Sequence, residues 1–292
     1  MDRTALIELI KSKKSFLCIG LDTDINKIPS SLGRGDDPVF EFNKRILDAT
    51  HTYAVAYKPN LAFYESLGSK GWQSLEKTME YIRQKNFDVL TIADAKRGDI
   101  GNSAKHYAKA FFDVLGFDAV TVSPYMGGDS LQPFLKYKNK WSVVLALTSN
   151  EGSEDFQVLQ PQLPTLLEKL GIKTYYWKKL YELVIEKAME WGGGENTMFV
   201  VGATQAEMFK SVREIAPDVF LLVPGVGAQG GNLQDVCQFG ITKDCGLLIN
   251  ASRSIIYASS GDDFDQAAAL EARKLQIQME EILKEKEIIP NS

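Results

Sequence analysis

Short apolar runs recur along the whole chain, and within each run the apolar residues are continuous rather than alternating with polar ones. They read FLCIGLD (16–22), YAVAYKPN (53–60), FDVLTIADA (87–95), FDAVTVSP (117–124), WSVVLALTS (141–149), MFVVGAT (198–204), VFLLVPG (219–225) and GLLINAS (246–252). Many of their residues are β-branched. This pattern predicts eight strands covered on both faces, as in a parallel sheet. Segments of helical period lie between the runs. DPVFEFNKRILDATHTY opens with Asp37-Pro38, a capping residue followed by a first-turn proline. SLEKTMEYIRQKN starts at a candidate Ser74 cap, and NSAKHYAKAFFDVLG ends at Gly116, a candidate C-terminal cap. TQAEMFKSVREIAPD follows the sixth run. The last segment, FDQAAALEARKLQIQMEEILKEKE, carries an apolar stripe that suits one helix packed on its own domain, with a coiled coil as the alternative.

Eight strand–helix units in 292 residues predict an α/β fold, a (β/α)8 (TIM) barrel forming one domain over residues 1–292. A doubly wound open sheet is the alternative, but the first run leads into GLDTDINKIPSSLG and not into G-x-G-x-x-G. Residues 150–197 form the one long excursion. They are expected to be an insertion after strand five, plus its helix of about 17 residues, within the same domain.

Composition narrows the class. The chain is 45% hydrophobic and 24% charged, with a formal net charge of −5, which argues against a broad nucleic-acid footprint. Cys18, Cys237 and Cys245 are scattered and odd in number, and with two histidines in the chain no metal-ligand spacing arises. The charged start MDRTALIELIKSKKS is unlike a secretory signal, and no apolar stretch reaches the length of a membrane span. A cytoplasmic protein without a membrane partner is expected.

In a (β/α)8 barrel the strands' C-terminal ends form the active face, and here these ends are polar. Strand one ends in Asp22, strand two in Lys58-Pro59-Asn60, strand three in Asp94 and Lys96, strand five in Thr148-Ser149, strand seven in Pro224-Gly225 and strand eight in Ala251-Ser252-Arg253. PGVGAQGG, with Gln229, Gly230 and Gly231, followed after the next strand by Arg253, has the makings of a phosphate site: glycine backbone N–H groups and a guanidinium converge on an anion. The stretch DAKRGD crowds Asp94, Lys96 and Asp99 at a buried strand end. A surface salt-bridge network is the plain reading of such a pattern. The burial of the strand, and Lys58 at the end of its neighbour, favour a working array instead. A lysine between carboxylates is held as an ammonium, which suits it to stabilise and protonate a carbanion.

At these residues the chain resembles the orotidine 5′-monophosphate decarboxylase family: KPN, DAKRGDIG, PGVGAQGG and SRSI all match, and the likeness runs from Asp22 to Tyr257, in the manner of the larger bacterial branch. The resemblance implies a cofactor-free, metal-free barrel that converts the nucleotide orotidine 5′-monophosphate to uridine 5′-monophosphate and carbon dioxide, the last step of de novo synthesis of that nucleotide. It implies a charged array of Lys58, Asp94, Lys96 and Asp99, with Lys96 as proton donor to the C6 carbanion and Asp94 beside the leaving carboxylate. Asp99 would come from the partner subunit of a homodimer with a shared active site. Asp22 and Lys58 would meet the ribose hydroxyls and Thr148 the pyrimidine edge. Gln229, Gly230, Gly231 and Arg253 would hold phosphate, with Ser103 and Pro224 also lining the substrate. Two alternatives stay open on the residues alone: a magnesium-dependent sugar-phosphate sibling on the same barrel, and a barrel that only binds nucleotide.

Overall fold

The computed structural model describes residues 1–33, 35–160, 178–226 and 231–291. Each of the eight apolar runs forms a strand: β1 Leu17–Leu21, β2 Ala56–Pro59, β3 Leu90–Arg97, β4 Ala119–Val122, β5 Trp141–Leu147, β6 Thr197–Val201, β7 Phe220–Pro224 and β8 Leu247–Ala251. All pair in parallel with their sequence neighbours, and β8 pairs with β1 (Cys18 with Asn250), so the sheet closes into a barrel in strict chain order. The open-sheet alternative is thereby excluded. Continuous apolar runs are what this closure requires, because one face of each strand fills the interior and the other lies under helices; β1, β4, β6 and β8 are buried along their whole length.

The helices follow the expected signals with informative departures. Asp37 caps the helix Pro38–Thr50 by accepting from Phe40 N, with Pro38 in the first turn. Ser74 does not cap its helix, which runs from Ser69 to Gln84 behind Gly68. Its hydroxyl instead lies 2.6 Å from Asp37 Oδ1 and 3.0 Å from the Lys70 carbonyl, so a buried cross-helix bond holds the residue inside the helix. Gly116 adopts φ +74° after the helix that begins at Gly101, as a terminating glycine should. A Cβ there would also stand 2.8 Å from the Arg83 guanidinium, which donates to the Leu115 carbonyl. The final helix, Phe264–Glu285, turns its apolar stripe onto its own barrel: Phe264 stacks on Phe42 at 4.8 Å while Arg45 lies over the same ring and pairs with Asp265. That settles the coiled-coil question for the helix's apolar face. Within the 150–197 excursion, Glu151–Asp155 form a 3-10 turn and Leu180–Gly192 a helix of 13 residues, shorter than the 17 expected. Residues 161–177 lie outside the described part.

At the strand-start end of the barrel, helices finish and strands begin, so backbone carbonyls are concentrated there without intrahelical donors. Cations meet them. Lys13 donates to the carbonyls of His51, Ala54 and Asp88. Half-buried Arg213 donates to Gly240, Ala216, Val219 and Gly246 at 2.7, 3.3, 2.6 and 2.9 Å, tying the starts of β7 and β8 to two helix ends. Burial lowers its pKa to about 10, which leaves it cationic at neutral pH. Arg213→Leu should therefore remove a donor from four carbonyls, of which that of Gly246 keeps the Leu221 N–H, and lower unfolding stability by about 3 kcal/mol. Urea denaturation followed by tryptophan fluorescence checks this, and an unchanged midpoint would show that the clamp is dispensable.

Candidate active site

The strand-exit end of the barrel gathers the charged groups. β1 delivers Asp22 just past Leu21, β2 delivers Lys58 opposite Gly20, and β3 delivers Asp94 in a bridge with Asn60. Together with the ends of β7 and β8 they line a cleft of about 170 Å³. Gly20 is required here: a Cβ would sit 1.8 Å from Ser252 Oγ, so only a bare backbone lets β8 and its serine approach β1.

Asp94 is the hub. Its Oδ2 accepts from Lys58 Nζ at 2.8 Å and its Oδ1 from Lys96 Nζ at 2.5 Å. The two lysines differ in surroundings: the Lys58 side chain is 6% exposed and that of Lys96 52%. Burial raises the Asp94 pKa, but the two ammonium groups lower it more, and the net result is about 2 against an ordinary 3.8. Burial pulls the Lys58 ammonium down, yet Asp94 and Asp22 outweigh it, so its pKa ends above the usual lysine range. Asp22 Oδ1 lies 4.0 Å from Lys58 Nζ, too far for a hydrogen bond, and is buried without a hydrogen-bond partner among the described residues.

Of the other sequence-predicted residues, some line the cleft and others are engaged in their own loops. Arg253 opens the short helix Arg253–Ile256 and lines the cleft. Pro224 lines it too, paired with Asn250. Gly231 donates to the Gly225 carbonyl, and a Cβ on it would lie 2.5 Å from Ala203 Cβ, so the glycine loop is closed at its base by close packing. Gln229 and Gly230 lie outside the described residues. Thr148 is engaged within its own loop: its N–H donates to Gln157 Oε1 at 2.7 Å and its hydroxyl to Asn150 Oδ1 at 2.6 Å. Ser103 sits exposed in the first turn of the Gly101–Lys109 helix. Asp99 accepts from Ile100 N and is not joined to the lysines within this chain.

Three further residues, Asn250, Cys18 and Thr121, belong to the site with little or no signal in the sequence. Asn250, mostly buried, donates to Ser252 Oγ at 3.3 Å and accepts from Cys18 Sγ at 3.6 Å. Burial pushes the Cys18 thiol up to about 12, so it stays protonated. Thr121 of β4 contacts both Asp94 and the Lys96 backbone. A lone polar residue inside an apolar strand was the one available hint for Thr121.

Comparison with known proteins gives a consistent result. A family model described as orotidine 5′-phosphate decarboxylase / HUMPS family matches residues 15–269. The chain is 53% identical over 283 residues to the orotidine 5′-phosphate decarboxylase of Phocaeicola vulgatus, covering 97% of this chain and 99% of that one. It is 56% identical over 279 residues to the enzyme of the same name from Christiangramia forsetii, covering 96% and 97%. Among solved structures, Leishmania donovani OMP decarboxylase superposes with a TM-score of 0.75 at 35% identity, over 95% of this chain and all of that one.

The depressed Asp94 pKa carries a sign. A carboxyl whose folded pKa lies below its unfolded value stabilises the fold above the unfolded pKa, near 4, and that contribution is lost as pH falls through the folded value near 2. Relative to Asp94→Asn, the protein should therefore lose about 2 kcal/mol more stability between roughly pH 4 and pH 2. Unfolding titrations at stepped pH check this, and parallel acid profiles for the two proteins would remove Asp94 as the hub.

Proposed function

The chain belongs to the orotidine 5′-phosphate decarboxylase / HUMPS family, and on that footing we propose that it converts orotidine 5′-monophosphate to uridine 5′-monophosphate and carbon dioxide through a C6 carbanion protonated by Lys96. The observation that carries the reading is the Lys58–Asp94–Lys96 array at the strand-exit end. In the reaction the bond from C6 to the carboxylate breaks, carbon dioxide departs, and the electron pair stays on C6. An ammonium held beside that carbon by an ionised Asp94 stabilises the charge and delivers its proton. The exposure of Lys96 suits it to regain that proton from solvent, whereas buried Lys58 is suited to hold Asp94 in place and to meet ribose. Asp94 stands beside the leaving carboxylate.

The remaining roles follow the cleft. Asp22, with a buried oxygen unpartnered among the described residues, accepts from a ribose hydroxyl. Arg253 with Gln229, Gly230 and Gly231 takes the phosphate, Thr148 reads the pyrimidine edge, and Ser103 and Pro224 complete the substrate contacts. The whole chain acts as one barrel domain with 150–197 as an insertion in it, in the cytoplasm, without nucleic-acid or membrane partners; no helix of the described residues is long and apolar enough to cross a membrane. A homodimer shares the site through Asp99. Ile100, Tyr107, Tyr125 and Met126, exposed apolar residues in and beside the segments after β3 and β4, support an interface there. No metal or cofactor takes part: Lys58 stands between the carboxylates of Asp22 and Asp94, the ligands a divalent cation would need.

The direct test is the ultraviolet absorbance of orotidine 5′-monophosphate with chelator-treated protein. Turnover should persist after chelation and fall by about 10³-fold or more in Lys96→Ala. Loss on chelation would move the protein to a metal-dependent sibling activity, and near-normal turnover in Lys96→Ala would remove the proton donor. The shared site has its own check. Inactive Asp99→Ala and inactive Lys96→Ala, mixed under conditions of proven subunit exchange, should regain part of the activity because each hybrid holds one intact site; no recovery means the sites are not shared.

A further inference from the structure

Thr121 lies in the middle of β4 and is 1% exposed, outside every role assigned above. Its hydroxyl nonetheless touches both members of the reacting pair. Oγ1 accepts a hydrogen bond from the Lys96 backbone N–H at 2.8 Å, and it donates to Asp94 Oδ1 at 3.2 Å. That Oδ1 is the oxygen that receives Lys96 Nζ. One hydroxyl has one proton and two lone pairs, so it serves the carboxylate and the amide together; the Ala93 carbonyl, at 3.5 Å, competes weakly for the proton.

Lys96 needs such a partner. Its φ is +47°, in the left-handed region that a residue with a Cβ enters at a cost. The ladder between β3 and β4 is irregular at this point: Ala93 pairs with Val120, and the next pair is Arg97 with Val122. Asp94, Ala95 and Lys96 are thus three residues set against Thr121 alone. The Lys96 N–H, at this break in the ladder, is met by the side chain of Thr121. The turn at Lys96 then brings Nζ back onto Asp94, its neighbour two positions earlier.

We propose that Thr121 is a positioning residue for proton delivery: through one hydroxyl it locks the left-handed turn of Lys96 and the rotamer of Asp94, fixing where the Lys96 ammonium stands. The proposal rests on the decarboxylase reading above and adds to it a residue that need not touch substrate. Proton transfer to carbon is sensitive to placement, and a displacement of about 1 Å can cost on the order of 10²-fold in rate.

Thr121→Val keeps the shape and removes the hydroxyl, while Thr121→Ser keeps the hydroxyl and removes a methyl. In Thr121→Val, kcat should fall by about 30-fold or more with KM within about twofold, and Thr121→Ser should stay within about threefold of the unaltered protein. Carbon-13 titration of the Asp94 carboxyl, identified by its loss in Asp94→Asn, should move upward in Thr121→Val and not in Thr121→Ser. Unaltered kcat in Thr121→Val, an equal fall in both variants, or an unmoved Asp94 titration in Thr121→Val would each overturn the positioning role. If the unaltered protein fails to decarboxylate orotidine 5′-monophosphate, the functional reading falls, and the carboxyl titration still decides whether Thr121 holds Asp94.

Discussion

One carboxylate shared between two ammonium groups organises the strand-exit face of this barrel. Asp94 takes Lys58 on one oxygen and Lys96 on the other. Any one of these charges buried alone would be costly, and an uncompensated ion in a protein interior costs several kcal/mol. The three are sustained as a set, and the set exists because β2 and β3 run side by side in parallel and release their polar residues at the same end. The three carry a net +1, which Asp22 beside Lys58 offsets, so an anionic substrate is met by individually placed ammonium groups in a chain whose overall charge is −5. The attraction is local and owes nothing to the surface as a whole.

The two ends of the barrel divide the work. At the strand-start end, Lys13 and Arg213 direct their donors at carbonyls of the backbone itself, and their charge is absorbed in holding helix ends against strand starts. At the strand-exit end, the cations face side-chain carboxylates and an open cleft. The same residue types are therefore structural at one pole and chemical at the other, and what separates them is whether the chain has already satisfied every donor. Asp22 shows the contrast plainly, with a buried oxygen that no group among the described residues hydrogen-bonds.

Much of this was legible in the amino-acid order because parallel strands in a closed barrel are buried on both faces and so appear as unbroken apolar runs. The polar residues that terminate those runs fall at one end by topology, which is why Asp22, Lys58, Asp94 and Arg253 could be found by reading strand ends. What escaped depended on neighbours distant in sequence. Ser74 looks like a cap until Asp37, 37 positions earlier, is seen to hold its hydroxyl inside the helix. Gly20 looks like an ordinary strand glycine until Ser252 is placed against it. Thr121 is one polar residue in a short strand, and its meaning comes from a ladder irregularity on β3 that no local pattern announces. Thr148 is visible in the sequence only as a strand end, and the loop that follows folds back and engages it through Gln157 and Asn150.

The left-handed turn at Lys96 has a consequence for how far this protein can be improved. Elsewhere a non-glycine residue at positive φ invites replacement by glycine, which removes the Cβ strain of roughly 1–2 kcal/mol. Asn86 and Asn139 are such positions, both in connections away from the cleft. At position 96 that route is shut, since glycine would delete the ammonium along with the strain. Selection for heat resistance would there set the relief of backbone strain against the loss of one of the two ammonium groups that sustain buried Asp94. Stabilising substitutions therefore belong in the connections at the opposite pole of the barrel.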